Sequence, residues 1–137
     1  MPSGSPRCVP RLPSPEPGPG VLTAHGDWAL VVIFANLLAG IWALAAHWLA
    51  PLRVKQLWWA VAAAQATIFV QVALGVYLVS VSGLKAPGMH MFYGFIGIVS
   101  VGVIYSYRTQ LKAWMYMLYG LGSFFLVGLM LRAYFLA

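Results

Sequence analysis

The chain reads as an all-α integral membrane protein: an antiparallel bundle of four transmembrane helices preceded by a disordered N-terminal tail. Three observations predict this. Of 137 residues, 62% are hydrophobic and only 7% charged, whereas a water-facing domain carries roughly a quarter of charged residues. Most of the chain therefore has lipid as its solvent, in keeping with a mean hydropathy of +0.85. Apolar runs recur four times, each close to the ~20 residues a helix needs to cross hydrocarbon at ~1.5 Å rise per residue. Short stretches holding Pro, Gly or Lys/Arg separate them.

The tail, residues 1–26, holds seven of the nine prolines along with several Gly and Ser. Such a composition buries too little apolar surface to offset its ordering entropy, which predicts disorder. It has no apolar core like that of a secretory signal, and Cys8 follows no hydrophobic run, so neither a leader nor a lipoprotein anchor is expected. A second reading is that part of this stretch precedes the true start of translation.

The first span runs from about 28 to 50, "WALVVIFANLLAGIWALAAHWLA", and is stopped by Pro51. The second, 57–81, follows the basic turn "PLRVKQ". The third, 89–107, follows "SGLKAPG", where Gly83, Pro87 and Gly88 mark a loop. The fourth is 113–135. Hydrocarbon offers no water to unpaired backbone groups, so each run must be helical, and short connections make sequential helices antiparallel. Trp28, Trp48, Trp58, Trp59, Tyr105, Tyr107, Trp114, Tyr116 and Tyr134 mark run ends, as in interfacial aromatic belts. Arg53, Lys55, Arg108 and Lys112 fall in the first and third connections. By the positive-inside bias these lie in the cytoplasm and both termini lie outside.

Composition also narrows the chemistry. One cysteine excludes an internal disulfide and a cysteine-based metal cage. The only acidic side chains, Glu16 and Asp27, leave little for paired-carboxylate catalysis or for Ca²⁺ and Mg²⁺ sites. The net charge of +6 is spread over span ends rather than gathered into a patch, which speaks against nucleic acid. No Ser/His/Asp set, phosphate loop or HExxH occurs, so nothing local signals catalysis. No ionisable residue sits in mid-span to couple an ion or proton, which disfavours a transporter.

Small residues mark packing faces. Ala35, Ala39 and Ala43 form a small-xxx-small ladder on the first span. Gly94 and Gly102 on the third, and Gly120 and Gly128 on the fourth, recur at a spacing of eight and are expected to line further faces. Such stripes let helices approach closely within the bundle, or let it meet a second copy or a larger partner. Asn36, Gln65 and Gln71 lie inside their spans. Interhelical hydrogen bonding is the first expectation for them, and a polar path for a ligand the second. Gln71 shares a face with Gly75, whereas Gln65 and Gln71 point in different directions. Arg108, in "YSYRTQLK", reads first as a positive-inside anchor and second as a contact for anionic lipid head groups.

The histidines divide by side. His47 nears the inner end of the first span and His90 opens the third at the outer side, so most of a bilayer separates them. His25 precedes the first span on the side of His90. Only His25 and His90 can act jointly, for example on a haem iron; the alternative is that each rests at the interface.

The stretch "QVALGVYLVSVSGLKAPGMHMFYGFIG" resembles part of one half of a haem A synthase, where a Gln-x-x-x-Gly step leads through a short external loop into a histidine opening the next helix. Gln71, Gly75 and His90 match that pattern, and His25 stands in for the second histidine. The resemblance implies haem ligation by His90 and His25. The family's external-loop cysteines and its Glu-x-x-His step have no counterpart here. The whole sequence also resembles small four-span membrane proteins of high-GC actinobacteria, a group that carries no assigned activity and implies a bacterial plasma membrane. The leading expectation from sequence is an accessory or assembly subunit without a cofactor, packed against itself or a larger membrane complex. The alternative is a haem-binding protein.

Overall fold

The computed structural model describes Pro10 and residues 19–137. Most of the tail for which disorder is expected thus lies outside the described residues. Four helices follow: α1 (Pro19–Trp48), α2 (Lys55–Ser80), α3 (Gly88–Tyr107) and α4 (Met115–Phe135). Short 3₁₀ turns at Ala50–Leu52 and Lys112–Trp114 complete the first and third connections. All four helices are long and apolar enough to cross a membrane, as the sequence predicts.

α1 starts at Pro19, well before the expected boundary at Trp28. Proline suits a helix start because its missing N–H would have no partner there. Gly26 in mid-helix costs about 1 kcal/mol relative to Ala. That cost is offset by tertiary docking, since the extra turns lie against α2 through His25. With 30 residues, α1 is about 45 Å long, more than the ~30 Å hydrocarbon core. Its first turns therefore reach the head-group layer.

The helices pack in the spatial order α2, α1, α4, α3, with α2 against α3 as the thinnest seam. Val32 and Ala43 of α1, Leu57 and Ile68 of α2, and Leu126 of α4 fill the interior. Leu38, Phe95 and Phe125 point outward. In water such a surface would drive association; in a bilayer it faces its proper solvent. Lipid tails are as apolar as the core, so close packing and hydrogen bonds, not burial, hold the helices together.

α1 and α4 approach closely enough for backbone to meet backbone. A Cβ placed on Gly120 would stand 3.0 Å from the backbone nitrogen of Leu44, and one on Gly40 would stand 3.0 Å from Ser123 Cβ. Gly120 thus packs as expected, and Gly40, Gly97 and Gly122 also sit against neighbouring helices. Ala39 and Ala43 are buried, and Ala35 and Ala39 line a groove between α1 and α2. Gly94 makes an ordinary contact with Val72 of α2.

Gly102 and Gly128 depart from the expected packing. Both are exposed, with nothing within 4 Å of a Cβ there. Eight residues advance a helix by two turns plus about 80°, so the eight-residue spacing does not align its members. Gly94 and Gly120 face inward and their partners face out.

Two connections have clear local causes. Arg53 folds back on the end of α1, donating Nε to Ala46 O at 2.7 Å and Nη2 to His47 O at 2.5 Å. It satisfies carbonyls that the helix end leaves open. In the second connection Gly83 adopts φ +66°, a conformation that favours glycine.

Candidate functional site at the histidine end of the bundle

His25 lies inside α1 rather than before it, and His90 sits in the first turn of α3. Because α1 and α3 run in the same direction, their N-terminal portions share one end of the bundle. The two imidazole rings lie 5.9 Å apart, centroid to centroid, edge to face at 69°. The sequence-predicted pair is thus brought together. His47 is at the other end, stacked on Trp114 at 5.5 Å.

Each of the four helices contributes to this site. His90 Nδ1 lies 2.9 Å from the carbonyl oxygen of Ala133 in α4. A carbonyl only accepts, so Nδ1 carries a proton, and in the neutral ring Nε2 keeps its lone pair. A histidine that ligates through one ring nitrogen while anchoring the other has this pattern. From α2, Gln71 Nε2 donates to the main-chain oxygen of His25 at 3.1 Å. One turn further on, Gly75 underlies the His25 ring: a Cβ at that position would be 3.2 Å from His25 Cε1. The Gln71–Gly75 step therefore holds both the backbone and the ring of His25.

Two polar atoms here are buried without partners, Nδ1 of His25 and Oε1 of Gln71. Buried polar atoms are satisfied in the great majority of cases; among the described residues Asn36 Oδ1, Gln65 Nε2 and Ser123 Oγ, elsewhere in the bundle, are unpartnered as well. Among the described residues no group of three or more His, Cys, Asp or Glu is placed to hold a metal ion. A bare ion such as Zn²⁺, which takes three or four protein ligands, has no cage here. A haem brings four nitrogens of its own and asks the protein only for axial ligands. Two imidazoles from separate helices fit that requirement in donor type and number.

The remaining intramembrane polar residues lie deeper. Asn36 is fully buried and donates Nδ2 to Val32 O and to Ala64 O of α2, each at 2.9 Å. Gln65 is buried as well, and its Nε2 has no partner among the described residues. Neither contacts the histidine pair. Sequence reasoning missed the carbonyl of Ala133, because nothing in a sequence announces which carbonyl a ring will meet. It also read Arg53 only as a topology charge, although a basic side chain just past a helix end signals a possible C-terminal cap.

Fold and site together define a multi-pass membrane protein of four apolar helices with a histidine pair closing one end. No family model, curated protein or solved structure matches the chain.

Proposed function

We propose that the chain is a haem-binding membrane protein in which His25 and His90 would hold the iron. The observation that carries this reading is the juxtaposition of the two rings from α1 and α3. Ala133 leaves Nε2 of His90 available, and the orphaned Nδ1 of His25 supplies a second nitrogen without a partner. A haem held by these residues would supply one-electron chemistry. The protein's own part is to fix the imidazoles, through Ala133, Gln71 and Gly75.

The test is spectroscopic. Protein expressed with haem available and purified in detergent should show a Soret band that shifts on reduction with dithionite. His90→Ala and His25→Ala should each weaken or abolish it while the protein elutes as a single species. A colourless wild-type protein sinks the reading.

A second reading, an accessory or assembly subunit, is favoured by the bare backbone at Gly102 and Gly128, which lets another helix approach closely. Affinity purification from native membranes should then recover a stoichiometric larger partner, and Gly128→Leu should release it. Recovery of a lone monomer counts against it.

For placement, the charge bias puts the histidine end outside a bacterial plasma membrane and Arg53, Lys55, Arg108 and Lys112 in the cytoplasm. A cysteine replacing Lys85 should label in intact cells, whereas one replacing Lys55 should not. The opposite pattern inverts the topology.

A further inference from the structure

At the end remote from the histidines, α3 and α4 flank an open apolar groove of about 550 Å³. Its mouth is formed by Leu111 and Trp114, and Ser100 and Phe125 lie at its far end. From Trp114 to Phe125 the helix rises about 16 Å, roughly half of the ~30 Å hydrocarbon core. The groove is thus as deep as one leaflet, opens at the membrane surface and stops near the midplane.

Arg108 stands three residues before Leu111 and Lys112 one after it, in the connection between α3 and α4 that leads to the mouth. The Arg108 guanidinium is held in place: its Cζ lies 3.5 Å from the centroid of the Tyr105 ring, and Nη1 donates to Tyr105 O at 2.9 Å. That leaves its other N–H donors without protein partners among the described residues. The only acidic side chain among those residues is Asp27, in the early turns of α1 at the opposite end. Arg53, the other arginine at this end, is occupied by the carbonyls of α1.

We infer that this groove binds one molecule of an anionic phospholipid, an acyl chain lying between α3 and α4 and the phosphate meeting Arg108 and Lys112. A chain one leaflet long matches the groove in length and polarity. An arginine with free N–H donors suits a phosphate, and basic pockets between spanning helices hold anionic head groups. The net positive charge of the mouth, with no acidic side chain among the described residues to answer it, selects this occupant over a neutral lipid or an apolar helix.

Detergent-purified protein titrated with phosphatidylglycerol, and separately with phosphatidylcholine of the same acyl chains, can be read by native mass spectrometry. One phosphatidylglycerol per chain should bind more tightly than phosphatidylcholine. Each near-surface cation is worth about a five-fold change in affinity, so the double variant R108Q/K112Q should lose phosphatidylglycerol affinity about 25-fold and bind the two lipids alike. Val103→Phe, at an exposed groove-lining position, should weaken both lipids while circular dichroism stays that of the wild type. Equal retention of the two lipids by the wild type overturns the proposal. So does a preference that survives R108Q/K112Q, or lipid binding that is indifferent to Val103→Phe. A dimer lost in Val103→Phe with lipid binding unchanged assigns the groove to a second copy instead.

Discussion

The side-chain amide of Gln71 in α2 donates to the main-chain oxygen of His25 in α1 at 3.1 Å. This bond ties the extra turns of α1 to the bundle and fixes the height of one histidine relative to the other. It also explains why the helix runs on through Gly26 when composition favours an earlier break. An intramembrane hydrogen bond is worth about 0.6–2 kcal/mol. Gln71→Leu removes it, but also removes the buried, unpartnered Oε1, whose burial is itself costly. The two effects largely offset, so global stability should fall by no more than about 1 kcal/mol. The local effect should be larger: amide hydrogen exchange over the first turns of α1 should accelerate while the rest of α1 keeps its protection. Unchanged protection in those turns contradicts the role given to Gln71.

Gly75 acts on the ring of His25 rather than on its backbone. A methyl group there would stand 3.2 Å from His25 Cε1, closer than ordinary van der Waals contact at ~3.5–4.0 Å. Gly75→Ala should leave the fold intact, because the imidazole can yield by a small rotation. Gly75→Val should displace it further. If haem is bound, the Soret position and the reduced bands should shift in Gly75→Ala, and occupancy should drop in Gly75→Val. Wild-type spectra in both variants would separate Gly75 from the site.

Much of this was legible in the sequence, for identifiable reasons. The four spans follow from length and polarity alone, since hydrocarbon allows an isolated span no other backbone. The pairing of His25 with His90, and the exclusion of His47, follows from the alternating direction of the helices. What was hidden is rotational phase. A run of apolar residues has almost no polar face to say which side turns inward, so Gly40, Gly97 and Gly122 went unnoticed as contact points. Gly102 and Gly128 were placed inside on spacing alone, although they face out. The start of α1 was hidden for another reason. Its first turns are held by Gln71 and Gly75, residues distant in sequence.

Gly120 and Gly128 occupy the same helix and make opposite predictions. At Gly120 a methyl group meets the backbone of Leu44, its nitrogen at 3.0 Å and its Cα at 3.1 Å. Backbone cannot rotate away, so α1 and α4 must separate. Overpacking of this kind costs about 1–3 kcal/mol. At Gly128 nothing is met, and the gain in helix propensity from Gly to Ala, about 1 kcal/mol in soluble hosts, is unopposed. Thermal denaturation in detergent should therefore show Gly120→Ala melting lower than wild type and Gly128→Ala melting no lower. Equal melting of the two variants would refute the α1–α4 contact.

Asn36 gives the sharpest test of interior hydrogen bonding, because its orientation fixes which atoms donate. Nδ2 faces two carbonyl oxygens, those of Val32 and Ala64, each at 2.9 Å. The Ala64 oxygen also accepts from Thr67 Oγ1. Asn36→Ala removes the interhelical bond to Ala64 but also the buried, unpartnered Oδ1, so its net cost should be no more than about 1 kcal/mol. Asn36→Asp keeps the shape but puts a carboxylate oxygen against those carbonyls, repelling where the amide attracted. A carboxylate near a helix centre in a membrane costs about 2.5–3.5 kcal/mol on insertion scales, and a protonated acid could serve only one of the two acceptors at a time. The expected order of stability is Asn, then Ala, then Asp, with Asp recovering part of its loss as pH falls and the acid is protonated. Denaturation midpoints measured at pH 7 and pH 4 check both parts. An Asp variant as stable as wild type at pH 7 would mean that Asn36 presents its oxygen, not its nitrogen, to α2.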